Sequence, residues 1–195
     1  MPKNRVTVPN KIYSQVMKEF NHRCAIGGEG NPQLHHIDGD PSNNDPLNLI
    51  PLCPNCHLSD QHNPTRAIEP EKLTLLRIYR DPTVLKPQFH PLFLRIQFLN
   101  VDKIPNPAPD VVSQQAVELV EFVAEMEMGA FYSKKINELI KKTKYAGVWT
   151  GAPGEAERRR SQDEERGREY LQKLREVKEE VYKLIMELLR FQKWN

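Results

Sequence analysis

The residue types that could do chemistry are concentrated in one stretch of the chain, between His22 and His62. This stretch contains all three cysteines of the 195-residue sequence and five of its six histidines, and only His90 lies outside it. Cysteine and histidine are the usual ligands of zinc, and histidine also serves as a general acid or base. The clustering therefore predicts a metal site or a catalytic site.

The cysteines have the spacing of part of a zinc site. Cys53 and Cys56 form a Cys-Pro-Asn-Cys pair at a predicted strand-to-helix turn, and Cys24 would supply a third thiolate. A cysteine partner for Cys24 is missing, because Gly27 occupies that position, so His22 is a candidate fourth ligand. A structural Zn²⁺ would stabilise a unit whose core is small. The alternative is three buried cysteines that bind no metal.

The histidines could form a hydrolytic site. His35 and His36 are adjacent, so on a strand their side chains point to opposite faces, and one can bind a metal while the other meets substrate. His57 follows the cysteine pair directly. A divalent ion held by neutral imidazoles, beside another imidazole that titrates near neutral pH, can hydrolyse a phosphodiester. Asp38 and Asp40 could also bind an ion, although capping of the turns around them is the more ordinary role.

Five short elements are predicted to position these side chains. A helix is predicted over residues 9–20, whose apolar residues recur every four positions. Two strands, over 33–38 and 47–53, are separated by a loop rich in turn-forming residues. A proline then suits the first turn of a helix over 54–62, and a further helix is predicted over 69–80.

The rest of the chain changes in composition. Six prolines interrupt residues 81–110, which predicts an ordered, extended connector. Residues 111–144 have a helical pattern with Gly129 as a break. Charges of both signs fill residues 155–169, which predicts a solvated helix, with the arginines at 158–160 as an alternative nucleic-acid patch. After residue 169, apolar residues recur at alternating steps of four and three positions. This spacing predicts a coiled-coil seam or a helical hairpin with residues 111–144. The seam residues are Tyr170, Leu174, Val177, Val181, Leu184, Leu188 and Phe191.

Two motifs in this order carry a resemblance to a known family. His-His-Ile-Asp at 35–38, followed by Asn-Leu-Ile-Pro-Leu-Cys-Pro-Asn-Cys-His at 48–57, resembles the HNH endonucleases. These enzymes have a ββα-metal fold that binds one divalent ion. The resemblance covers roughly residues 20–63, about a fifth of the chain.

The resemblance implies a role for each matching residue. His35 and His57 would bind the catalytic ion, Mg²⁺ or Mn²⁺, and His36 would be the general base that deprotonates the attacking water. Asn48 would hold the loop and orient His36. His62 is a further candidate ligand of the ion, and the alternative for it is a solvated position at the helix end. The products would carry a 5′-phosphate and a 3′-hydroxyl.

Composition limits the setting in which such an enzyme would work. The chain is 38% hydrophobic and 28% charged, which is typical of a soluble globular protein. Its net charge of +2 is small for a protein that depends on phosphate contacts, so affinity for DNA would be local or supplied by a partner. An apolar signal segment and a membrane-length apolar run are both missing, so we expect a cytoplasmic protein without a membrane partner.

The patterns and the resemblance together predict an α+β, mostly helical protein. We expect a ββα-metal HNH nuclease domain with an N-terminal helix over residues 1–80 and a proline-rich ordered connector over 81–110. A C-terminal helical hairpin or coiled coil over 111–195 would bind a protein partner or form a homodimer.

The expected function is metal-dependent cleavage of DNA with low sequence specificity, under the control of a partner protein. By analogy, a prokaryotic antiviral defence system would be a suitable setting. The alternative is a zinc-stapled nucleic-acid-binding or assembly subunit without catalytic activity.

Overall fold

The computed structural model describes residues 7–142 and 155–193, without the side chains of residues 155 and 156. The chain divides into two compact units, Met1–Pro87 and Gln88–Asn195. The fold is α+β and mostly helical, as predicted, and the strands of the described part form one two-stranded sheet. No helix among the described residues is long and apolar enough to cross a membrane.

Each helix and strand predicted in the N-terminal unit is present, and each is slightly shorter than predicted. Helix α1 spans Asn10–Glu19, strand β1 spans Gln33–His36 and strand β2 spans Leu49–Leu52. A π-helix over Asn55–Gln61 follows β2, and helix α2 spans Pro70–Tyr79. A short 3₁₀ turn over residues 46–48 leads into β2.

The two strands form an antiparallel pair in which His35 faces Ile50 across the ladder and His36 faces Leu49. All four residues of β2 are buried, so β2 is the centre of the small core of this unit. Pro51 lacks an N–H, but its carbonyl oxygen accepts a hydrogen bond of 2.8 Å from Ala25. The loop that carries Cys24 is thereby attached to the sheet.

A buried arginine joins three elements of the N-terminal unit. The guanidinium of Arg77, on α2, is 3% exposed and lies 2.7 Å from the carboxylate of Glu19 at the end of α1. Its Nε donates to the carbonyl oxygen of Pro46 at 3.0 Å, and the group lies over the ring of Phe20. A buried charge must be paired and hydrogen-bonded, and this one is. The turn before β2 is therefore fixed to both helices.

The proline-rich segment 81–110 is ordered, but it is helical rather than extended. It contains short 3₁₀ turns at residues 82–85, 87–89, 97–99 and 101–103, and helix α3 at His90–Ile96. Proline is tolerated in the first turn of a helix, where its missing N–H is not needed. Several prolines occupy such first-turn positions, so they begin helical turns where extended backbone was predicted.

The helical pattern over 111–144 corresponds to two helices, α4 over Pro109–Ala124 and α5 over Gly129–Ile140. The break lies at the predicted glycine: Met128 adopts a left-handed conformation with φ of 61°, and α5 begins at the next residue. A Cβ on Gly129 would lie 2.1 Å from the carbonyl oxygen of Val123, so only glycine fits here. Residues 143 and 144 lie outside the described part.

The long C-terminal helix α6 spans Glu155–Leu189 and packs against α4 and α5 in the same unit, which is the hairpin alternative of the prediction. Tyr170, Leu174, Val181 and Leu188 of the predicted seam are buried there. The hydroxyl of Tyr170 donates to the carbonyl oxygen of Ile140 at 3.0 Å. Phe191, at the end of the seam, is 51% exposed.

Candidate metal and catalytic centres

The three cysteines meet in the N-terminal unit. Their Sγ atoms all lie within 4.8 Å of one another, although the residues come from three places: Cys24 from the loop after α1, Cys53 from the end of β2 and Cys56 from the π-helix. Cys24 and Cys53 are buried, and Cys56 is half-buried. The predicted grouping is therefore present, and a set of three sulfur donors has the chemistry that suits Zn²⁺.

Backbone hydrogen bonds shape the loop around Cys24. The N–H of Cys24 donates to the carbonyl oxygen of Glu29 at 2.8 Å, which closes the loop. The N–H of Gly27 points at the sulfur of Cys24, with an N to Sγ distance of 3.4 Å. An N–H group directed at sulfur stabilises the thiolate, which is the form of cysteine that binds metal.

The three thiols differ in acidity. Burial raises the pKa of Cys56 to about 12, and its neighbours Cys53 and Cys24 contribute to that rise. Burial also acts to raise the pKa of Cys24, but backbone N–H donors from Cys53, Gly27 and Ile26 outweigh it and lower that pKa below its ordinary value. Three thiolates cannot stay this close unless a cation balances their charge.

The candidate fourth ligand His22 is not part of this cluster. It lies on the exposed turn after α1, with φ of 56°, and it belongs to neither group of candidate metal ligands among the described residues. Glu29 belongs to neither group as well, but its Oε2 lies 3.6 Å from Sγ of Cys53. Sequence reasoning missed Glu29, because no spacing rule links a carboxylate in a glycine-rich loop to a distant cysteine pair.

A second group consists of His35, His57 and His62. One imidazole nitrogen of each lies within 4.8 Å of the other two, and the ring centroids of His57 and His62 are 4.8 Å apart. His35 comes from β1, opposite a residue of β2, and the other two come from the π-helix that follows β2 and from its end. The structure thus brings together the predicted pair and the further candidate.

The π-helix explains why His62 joins this group. His57 and His62 are five residues apart, which is one residue more than an α-helix needs to place two side chains on one face. The N–H of His62 donates to the carbonyl oxygen of His57 at 3.2 Å, an i to i+5 bond that widens the turn. The wider turn places both imidazoles on the face of the π-helix that is directed at His35.

The imidazole of His35 is held neutral. Burial, reinforced by the nearby His57, His62 and His36, lowers its pKa to about 4. A neutral imidazole keeps the lone pair that a metal ligand needs. His35 is therefore available for metal binding at neutral pH without first losing a proton.

The neighbouring residue His36 has different contacts. It is the last residue of β1, and its Nε2 lies 3.2 Å from Oδ1 of Asn44 in the loop that follows. It also lines an open cleft of about 590 Å³, together with Tyr13 of α1 and Gln33 of β1. The two adjacent histidines thus face different surroundings, as the alternation of a strand predicts.

Asn48 holds the loop between the strands. Its Nδ2 donates to Oδ1 of Asp38 at 2.9 Å and to the carbonyl oxygen of Asn43 at 3.0 Å, and its Oδ1 accepts from the N–H of Asp38 at 3.0 Å. These contacts attach Asn48 to the loop, and the role that the resemblance implies for it stays a prediction. The side chain in contact with His36 is a different asparagine, Asn44.

The two loop aspartates make turn-capping contacts. Oδ1 of Asp38 accepts from the N–H of Asp40 at 2.8 Å, and Oδ1 of Asp40 accepts from the N–H of Ser42 at 3.0 Å. Burial acts to raise the pKa of Asp38, but hydrogen bonds from Asp40, Asn43 and Asn48 and the charge of His36 lower it overall. These are the contacts of Asx turns that hold a loop together.

Comparisons with models of protein families, with curated proteins and with solved structures found no match for this chain.

Proposed function

We propose that the chain is a metal-dependent endonuclease of the HNH type that hydrolyses DNA. The observation that carries this proposal is the different placement of two adjacent histidines. His35 lies with His57 and His62 in a group whose donor atoms are within 4.8 Å of one another, whereas His36 contacts Asn44 and lines an open cleft. One side of the strand end can thus bind a metal, and the other can act on substrate.

His35, His57 and His62 would hold the catalytic ion. Three imidazole ligands would leave coordination positions open for substrate oxygens and water, which is typical of a catalytic site. A divalent ion held there would neutralise charge on the scissile phosphate and on the oxygen that leaves, and a donor set of three imidazoles without a carboxylate fits Mn²⁺ better than Mg²⁺. The low pKa of His35 supports this role, because the ligand needs no deprotonation.

His36 would act as the general base. Its Nε2 faces the side-chain oxygen of Asn44, and since a carbonyl oxygen can only accept, the tautomer that makes this contact has its proton on Nε2. The lone pair is then on Nδ1, which takes a proton from water. The water oxygen bonds to phosphorus, the bond from phosphorus to the 3′-oxygen breaks, and that oxygen gains a proton from solvent.

The cleft beside His36 would receive the DNA strand. It is open, has a volume of about 590 Å³ and includes the ring of Tyr13, which is 42% exposed. An exposed aromatic ring is a surface on which a base can stack without regard to its identity. The small net charge of +2 supports weak intrinsic affinity, and stacking that does not depend on base identity supports low sequence specificity.

We also propose that the three cysteines hold a structural Zn²⁺. Cys53 and Cys56 flank the junction between β2 and the π-helix, and His57 is the residue after Cys56. A metal at this junction would fix the start of the helix that carries two ligands of the catalytic ion. The two metals would thus have separate roles, one structural and one catalytic.

The proposal is tested by nicking of a supercoiled plasmid with Mg²⁺ or Mn²⁺. The wild-type chain should nick, and His36→Ala should lose activity roughly 10²- to 10⁴-fold, the range of a general base. His90→Ala is the matched control, because His90 lies in the C-terminal unit and outside both clusters, and it should retain activity. Equal nicking by the wild type and His36→Ala would remove the assignment of His36. No nicking by any variant, even with copurifying partners, would favour a zinc-stapled binding or assembly subunit.

A further inference from the structure

The cysteine cluster has three sulfur donors, whereas a structural zinc site is closed by four ligands. We infer that the carboxylate of Glu29 is the fourth ligand, so that the structural site is Cys24, Cys53, Cys56 and Glu29. This inference rests on the proposed structural Zn²⁺ and is independent of the nuclease activity.

The distance between Glu29 and Cys53 fits two ligands of one tetrahedral ion. With Zn–S of about 2.3 Å and Zn–O of about 2.0 Å, a sulfur and an oxygen ligand lie about 3.5 Å apart. Oε2 of Glu29 lies 3.6 Å from Sγ of Cys53. The carboxylate thus lies at the spacing of a tetrahedral edge from Cys53, although it is outside the group of three sulfurs that all lie within 4.8 Å of one another.

Gly27 leaves the space that this carboxylate occupies. A Cβ built on Gly27 would lie 2.1 Å from Oε2 of Glu29 and 2.8 Å from its carboxyl carbon. Any side chain at residue 27 would therefore have to displace the carboxylate. The position from which an upstream cysteine partner of Cys24 would reach the metal is instead filled by an oxygen donor from two residues further on.

The backbone of the loop fixes the other end of the glutamate. The carbonyl oxygen of Glu29 accepts from the N–H of Cys24 at 2.8 Å, so Glu29 and Cys24 are held side by side by their main chains. The residue is exposed, and its side chain can rotate to bring the carboxylate from the Cys53 side onto an ion among all three sulfurs. Carboxylate oxygen is an accepted zinc donor.

Metal binding by the full chain tests this without DNA. Zinc affinity is measured by competition with a chromophoric chelator, and Co²⁺ is used as a spectroscopic substitute whose thiolate charge-transfer band grows with the number of sulfur ligands. Glu29→Ala should weaken zinc binding roughly 10- to 100-fold or more. Glu118→Ala, an exposed glutamate on α4, is the matched control and should bind zinc like the wild type.

Variants of Gly27 test whether Glu29 binds the zinc ion or only lies beside it. Gly27→Ala should weaken zinc binding less than Glu29→Ala does, because the methyl group takes space that the carboxylate occupies but leaves the ligand in the chain, and it should have little further effect when Glu29 is already alanine. Glu29→Ala combined with Gly27→Cys should restore zinc affinity and raise the Co²⁺ charge-transfer band above that of the wild type, since a fourth thiolate replaces the carboxylate.

Three results would overturn the inference: unchanged zinc affinity in Glu29→Ala, failure of the Gly27→Cys combination to restore it, or a wild-type chain that binds no zinc at the cysteines. Each is read from zinc or cobalt alone. A chain that binds zinc through Glu29 but does not nick DNA would leave this inference standing and remove the nuclease proposal.

Discussion

Nε2 of His36 lies 3.2 Å from Oδ1 of Asn44, so an asparagine from the loop holds the imidazole of the proposed base. The asparagine of the motif, Asn48, holds the loop itself through Asp38 and Asn43. The positioning of His36 is thus divided between two asparagines, because Asn48 fixes the loop and the loop presents Asn44 to the imidazole.

Asn44→Ala should lower the rate of plasmid nicking. Without the acceptor, the His36 ring is free to rotate and its proton is no longer confined to Nε2, so fewer molecules present a lone pair to water. We expect a loss of roughly 10-fold or more in kcat with little change in KM, smaller than that of His36→Ala. The exposed Asn137 of α5 provides the control substitution, Asn137→Ala. If Asn44→Ala cleaves at the wild-type rate, the contact does not position the base.

His62→Ala should raise the concentration of Mn²⁺ or Mg²⁺ needed for half-maximal nicking by roughly 10-fold. The reason is that His62 shares a donor cluster with His35 and His57, and removal of one ligand weakens the site. Saturating metal should recover much of the activity, which distinguishes a ligand from a general base. If His62→Ala needs the same metal concentration as the wild type, His62 is a solvated residue at the helix end and not a ligand.

Asp38→Asn should change how the free energy of unfolding depends on pH. The pKa of Asp38 is lowered in the folded state, so its carboxylate stabilises the fold above its unfolded pKa of about 3.9, and that contribution disappears as pH falls through the lower folded value. The gap in unfolding free energy between the wild type and Asp38→Asn should therefore be largest above about pH 5 and shrink in more acidic buffer. Urea unfolding at several pH values measures it. A gap that is constant with pH would mean that the carboxylate charge is unimportant.

Gly129→Ala should destabilise the helical C-terminal unit by roughly 1–3 kcal/mol. The added methyl would meet the carbonyl oxygen of Val123 at 2.1 Å, so the start of α5 would have to move. Gly30→Ala is the matched substitution, because a Cβ there meets nothing within 4 Å. Denaturant unfolding followed by circular dichroism compares the two variants. Equal stability would show that the turn between α4 and α5 can relax.

Much of the N-terminal unit was predictable, because its elements are short and bounded by turn-forming residues. The strands and the helix after them follow from local pattern, and the grouping of His35 with His57 follows from the resemblance to the HNH endonucleases. Asn44 and Glu29 were not predictable, since each acts through a loop whose path depends on tertiary contacts. The segment 81–110 was predicted as extended because prolines usually interrupt helices, but several of them stand where a helical turn begins.

The π-helix over Asn55–Gln61 has a consequence for insertions and deletions. Such a helix is often equivalent to an α-helix that has accommodated one extra residue. Deletion of the exposed Ser59 would leave His57 and His62 four positions apart, the spacing at which an ordinary α-helix aligns two side chains. The chain with five-residue spacing and a chain with four-residue spacing can therefore present the same pair of imidazoles, one through a wider backbone turn and the other through a shorter sequence.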